Sequence, residues 1–129
     1  MTEKIKREIC WGIIGVGDVC EVKSGPAFME VANSSVMAVM RRMTEKAKDF
    51  ANRHDVGKWY DNAEDLLNDP EINAIYIATP PSTHAEYTLK AAAVFKPVYV
   101  EKPMARSHQE CVSMIAACEK ANVPLFVAY

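Results

Sequence analysis

Two textures alternate along this chain, and that alternation restricts its fold more than any other feature. Short apolar runs rich in branched or aromatic residues recur at Ile9–Ile14, Ser35–Met40, Lys58–Tyr60, Ala74–Ala78, Pro97–Val100 and Val123–Val127. Longer stretches with helical spacing lie between them. In Thr44–His54, Ala47, Phe50, Ala51 and His54 fall at i, i+3, i+4 and i+7. In Ser107–Ala121, Cys111, Met114, Ile115 and Cys118 repeat that spacing and predict one buried helix face. Strands that are almost continuously apolar, separated by helices, suit a parallel sheet covered on both faces. Right-handed crossovers then predict a doubly wound α/β sheet of about six strands.

Local start signals agree with this order. Thr83 followed by Glu86 reads as a capping box opening a helix Thr83–Ala93, with Ala85, Leu89 and Ala92 as its apolar stripe. Asp61 followed by Glu64 predicts a short helix through Leu67 that stops before Pro70. Pro26 suggests that the helical stretch after the first strand breaks or restarts near Ser24–Gly25. There is no internal repeat or linker, so residues 1–129 are expected to form one domain.

Composition excludes several classes. A chain that is 50% hydrophobic and 25% charged has enough apolar surface to fold. A net charge of −2 leaves no basic excess for nucleic acid as a main partner. No run approaches a membrane span, and Ile9–Val16 lacks the cleavage site of a signal peptide, so a cytoplasmic protein is expected. Cys10, Cys20, Cys111 and Cys118 form no metal-like spacing with His54, His84 or His108, and read as reduced thiols with no metal site.

The first strand runs into Gly15-Val16-Gly17-Asp18-Val19-Cys20. Gly15 permits a tight turn, and Gly17 lets a pyrophosphate approach the backbone at a helix N-terminus. The third small position is Cys20 rather than glycine, so the fingerprint is incomplete and a merely structural turn remains open. Asp18 suits a capping role better than a place beside phosphate. Near the end of the second strand, where a free ribose 2′-hydroxyl would call for an acid, stand Arg41 and Arg42. Two guanidinium groups suit a 2′-phosphate, and Lys46 could add a third cation; two solvated surface arginines are the alternative. This favours NADP over NAD.

Thr79-Pro80-Pro81 leaves the fourth strand, followed by Ser82, Thr83 and His84. The prolines force an extended exit at the carboxyl edge of the sheet, where ligands bind in such folds. His84 is expected in the first turn of the next helix, facing that crevice or simply solvent. The fifth strand ends in Glu101-Lys102-Pro103. Lys102 reads either as a partly desolvated proton donor or polarising cation, or as half of an ion pair with Glu101.

Three ordered segments carry a family resemblance. They are Gly12-Ile13-Ile14-Gly15-Val16-Gly17, then Tyr76-Ile77-Ala78-Thr79-Pro80-Pro81 with His84, then Lys96-Pro97-Val98-Tyr99-Val100-Glu101-Lys102-Pro103. Across residues 8 to 129 the chain resembles the N-terminal domain of the glucose–fructose oxidoreductase, inositol dehydrogenase and MocA-like oxidoreductases. The resemblance implies a Rossmann domain that binds NAD(P), with the nicotinamide near Glu101 and Lys102. It implies that Lys102 lies beside the reacting carbon of the substrate, and it aligns Tyr129 with a cofactor-side position. Three departures stand out. Cys20 replaces a small residue, and Phe95 stands where a glycine usually follows the helix, which predicts local strain or a shortened helix. The third concerns the second α/β substrate domain with which such proteins continue, which is expected to be missing here.

The resemblance implies the cofactor-binding half of an oxidoreductase that moves hydride between NADP, or NAD, and a sugar, polyol or related secondary alcohol. The isolated chain is then expected to bind cofactor with little turnover, since substrate positioning supplies much of a barrier reduction. It is also expected to self-associate into a homo-oligomer through exposed apolar surface at the carboxyl edge and beyond the sixth strand. The alternative is a nucleotide-binding or interaction module without catalysis, which would have no use for Lys102.

Overall fold

The computed structural model describes residues 8–15 and 32–128. Strands β1 (Ile9–Ile14), β2 (Ser34–Met40), β3 (Lys58–Tyr60), β4 (Ala74–Ile77), β5 (Val98–Val100) and β6 (Leu125–Val127) form one sheet. All pairings are parallel, in the order β3-β2-β1-β4-β5-β6. Helices α1 (Thr44–Arg53), α2 (Ala63–Leu67), α3 (His84–Ala93) and α4 (His108–Ala121) connect them. The doubly wound sheet expected from the alternating textures is the one observed. Its strand order reverses between β1 and β4, where such sheets open a crevice.

Alternate strand residues enter opposite layers, as the strand period requires. Ile13, Val39 and Tyr76 join Phe50 and Ala51 of α1 on one face. Ile14, Met40, Ile75 and Ile77 join Leu66, Ala91 and Met114 from α2, α3 and α4 on the other. Burial on both faces removes the polar alternation of a half-exposed sheet, which is why these strands read as unbroken apolar runs.

Several local expectations change. The strands are slightly shorter at β4, β5 and β6 than their apolar runs, because flanking residues such as Ala78 and Pro97 lie outside the ladder. Thr83 makes no side-chain cap at α3; its hydroxyl donates to Pro80 O at 2.9 Å and meets Thr79 Oγ1 at 2.7 Å. A short 3₁₀ turn, Pro81–Thr83, therefore precedes α3, and no capping box forms. Asn62, not Asp61, caps α2, accepting from Asp65 N at 2.9 Å. On α4 only Met114 and Cys118 are buried; Ile115 is exposed, and so is Leu89 on α3. A sheet face covers a narrower stripe of each helix than the apolar spacing suggested.

Phe95 has φ 59°, in the left-handed region, and closes α3 with bonds from Phe95 N to Ala92 O and Lys96 N to Ala91 O. This is a Schellman ending, so the helix is complete and the strain lies in the residue that ends it. The side chain is 71% exposed and gains little in return. Phe95→Gly is expected to stabilise the fold by about 1 kcal/mol, since glycine adopts this conformation without a Cβ clash. Urea unfolding should show a higher midpoint at unchanged slope. A lower midpoint would mean that the phenyl packs more usefully than its exposure indicates.

Candidate nucleotide-binding site

In-register pairing lines up the strand ends. Ile14 pairs with Met40 and Ile77, Met40 with Tyr60, Ile77 with Val100, and Val100 with Val127. The residues just beyond them are tied across the same edge by backbone bonds. Gly15 N donates to Met40 O (2.9 Å), Arg41 N to Tyr60 O (3.2 Å), Ala78 N to Ile14 O (2.9 Å) and Glu101 N to Ile77 O (2.9 Å). Residues far apart in sequence, from Gly15 to Glu101, thus share one rim.

A cleft of about 370 Å³ opens at this rim. Gly15, Met40, Arg41, Arg42, Met43, Ala78, Thr79, Pro80, Ser82, Thr83 and Tyr87 line it, so it spans the ends of β1, β2 and β4 at the switch point. Gly15 has φ +88°, and a Cβ there would sit 2.5 Å from Thr79 Cγ2 and 2.9 Å from Thr79 N. Glycine is required both by conformation and by the closeness of the β4 exit. A larger hollow of about 560 Å³ lies at the amino ends of the strands, among Trp11, Tyr99, Val98 and Phe126. Among the described residues Glu8 is the one charged residue lining it, and the rest are mostly apolar.

Arg41 is half-buried and Arg42 exposed, and both line the cleft. Met43 forms the N-cap of α1 and makes no side-chain cap bond there. Thr79 and Pro80 line the cleft too, whereas Pro81 is half-buried in the 3₁₀ turn outside it. Lys46 is exposed on the first turn of α1 and is not among the lining residues. Val16, Gly17, Asp18, Val19 and Tyr129 lie outside the described residues.

His84 does not face the crevice. It is 1% exposed, with Nε2 2.6 Å from Thr79 O and Nδ1 2.9 Å from Pro103 O. The 3₁₀ turn rotates the start of α3 so that the ring points beneath the rim. Lys102 is exposed rather than partly desolvated. Glu101 is half-buried and its Oε2 accepts from the hydroxyl of buried Tyr76 at 2.5 Å. Tyr76 and Tyr87 were not read as site residues, because each sits in an apolar pattern. The usable hint was a hydroxyl-bearing ring inside an otherwise aliphatic strand or helix stripe.

Away from the cleft, Asp69 is 5% exposed and anchors the start of β3. Its carboxylate accepts from Lys58 Nζ (2.9 Å), Tyr60 OH (2.7 Å) and Glu71 N (2.9 Å). Burial opposes its ionisation, but hydrogen bonds from Tyr60, Glu71 N and Lys58 outweigh it and hold the carboxyl at about 2. Lys58 is raised in turn, first by Glu71 and then by Asp69. Among the described residues no helix is long and apolar enough to cross a membrane.

Comparison with known proteins agrees with this geometry. The model of an oxidoreductase family with an NAD-binding Rossmann fold, Gfo/Idh/MocA, matches residues 9–129. Oxidoreductase P35 of Formosa agariphila is 51% identical over 125 residues, covering 97% of this chain and 39% of that protein. An oxidoreductase from Agrobacterium radiobacter, solved with NAD+, L-tartaric acid and magnesium, superposes with a TM-score of 0.87 at 28% identity. That match covers 93% of this chain and 35% of the other. A 3-ketoreductase from Actinomadura kijaniata, solved with TDP-benzene and NADP, gives 0.88 at 25% identity, covering 94% and 38%. The chain therefore spans less than two-fifths of the length of these relatives. With its sheet order, its glycine at the switch point and its match over nearly the whole length, the chain belongs to the Gfo/Idh/MocA oxidoreductase family, as an NAD-binding Rossmann domain.

Proposed function

We propose that this domain binds NADP in preference to NAD and serves an oxidoreductase acting on a sugar, polyol or related secondary alcohol. The observation that carries the reading is the cleft itself, with Gly15 at its floor and Arg41 and Arg42 on its wall. The residues fit the cofactor: a Cβ at Gly15 would crowd the β4 exit, and two guanidinium groups stand beside an α1 start whose N-cap residue, Met43, makes no side-chain cap bond. Arg41 and Arg42 would hold a 2′-phosphate by charge-assisted hydrogen bonds. Thr79 offers a hydroxyl to the adenosine half. When bound, the nicotinamide ring supplies hydride transfer.

Lys102, at the far end of the same rim, gives or takes the proton at the substrate oxygen. Its exposure leaves the ammonium able to meet a substrate brought from outside this domain. Glu101 is held by Tyr76. Self-association through exposed apolar residues, such as Phe126 at 59% exposure on edge strand β6, belongs to this reading.

Fluorescence titration with NADPH and NADH tests the cofactor assignment. The wild-type chain is expected to bind NADPH more tightly. The Arg41→Ala/Arg42→Ala double variant should lose roughly 10- to 100-fold in NADPH affinity and little in NADH affinity. Equal losses for both nucleotides would remove the 2′-phosphate role.

A further inference from the structure

We infer that His84 is a positioning residue that ties the cofactor-side loop after β4 to the Lys102 loop after β5. The inference rests on the proton-transfer role proposed for Lys102 and extends it to how that lysine is placed. The ring is buried, yet both of its polar atoms meet backbone carbonyls. Nε2 lies 2.6 Å from Thr79 O, in the loop that lines the nucleotide cleft. Nδ1 lies 2.9 Å from Pro103 O and 3.3 Å from Met104 O, directly after Lys102. Each nitrogen faces a carbonyl of a different loop, so the single rigid plane of the ring spans the two, with the tautomer deciding which nitrogen donates.

The residues flanking Lys102 are then both anchored. On one side Glu101 is held to β4 twice, by its amide on Ile77 O (2.9 Å) and its carboxylate on Tyr76 OH (2.5 Å). On the other side Pro103 is held by what reaches its carbonyl, and among the described residues His84 is the side chain that does. Lys102 itself is exposed, so its backbone and not its own packing sets where the ammonium starts from. Thr79 and Lys102 leave different strands, and neither β4 nor β5 alone relates their loops. The imidazole makes a shift at the nucleotide cleft felt at the lysine.

Substitution by asparagine or glutamine separates the two ends of the tie. An asparagine side chain at this position offers its amide nitrogen as a donor near the place of Nδ1, and a longer glutamine offers one near the place of Nε2. In the chain as it exists, His84→Ala should raise amide exchange about tenfold in both 79–83 and 101–106 while β1 and β4 keep their protection. It should also weaken NADPH binding about fivefold. His84→Asn should restore protection of 101–106 but not of 79–83, and NADPH binding should stay weak. His84→Gln should restore 79–83 and NADPH affinity and leave 101–106 exposed. Wild-type behaviour of all three variants would overturn the inference. So would a uniform rise in exchange across the sheet, which is the mark of a residue that only stabilises the fold. Lys102→Ala should leave every one of these protections in place, and unchanged turnover after the same substitution in a complete two-domain relative would overturn the lysine's proton role without touching the tie.

Discussion

Gly15→Ala is expected to cost about 3 kcal/mol of stability and to abolish saturable nucleotide binding. Two separate costs add. An L-residue at φ +88° loses roughly 1–2 kcal/mol to the left-handed backbone. The new methyl would then meet Thr79 Cγ2 at 2.5 Å and Thr79 N at 2.9 Å, and the second of these is backbone that cannot rotate away. Relief requires the β4 exit to move, and that exit lines the cleft. Urea unfolding measures the first effect and NADPH fluorescence titration of the still-folded protein the second. A Gly15→Ala/Thr79→Ser variant should recover part of the stability, because it removes Cγ2 but leaves the amide. Wild-type stability and affinity in Gly15→Ala would show that β1 leaves the sheet by a different turn.

The second large effect is at Asp69. Asp69→Ala is expected to destabilise the fold by about 2–4 kcal/mol, because it removes the acceptor shared by Lys58, Tyr60 and the Glu71 amide. The same group sets a pH dependence whose sign follows from its shift. Its folded value of about 2 lies below the ordinary 3.8, so the unfolded chain takes up its proton first as pH falls. The contribution is complete above about pH 4 and fades from there down through about pH 2. Urea midpoints measured from about pH 6 down to about pH 2 should therefore fall less steeply for Asp69→Asn than for the wild type. Parallel curves would place the acid sensitivity in other carboxylates.

The contrast between these two sites shows what a linear reading captures. Gly15 and Thr79 were each legible, the first as a turn after an apolar strand and the second as an extended exit before two prolines. Their contact was not, because it depends on β1 and β4 being neighbours. Asp69 gave no signal: it precedes Pro70 in what reads as a loop, and its partners include two side chains of β3. His84 was legible as a helix-start residue but its direction was wrong, since a 3₁₀ turn replaced the expected capping box and rotated the ring inward. Phe95 was legible as an anomaly, and the structure shows the strain sitting in its left-handed φ while the helix keeps its length.

What the sequence determined by itself was the class of the fold and the order of its elements. Apolar period and turn chemistry act over a few residues, so they are written locally, and right-handed crossovers then leave few topologies. It also placed Gly15, Arg41, Arg42, Thr79 and Lys102 at strand ends, hence on one rim. Tertiary structure alone decided which of these line a common cleft, which hydroxyl holds Glu101, and whether His84 meets ligand or backbone. Those outcomes depend on strand register, on the rotation of each helix start and on contacts between residues far apart in the chain, and such contacts leave no period behind.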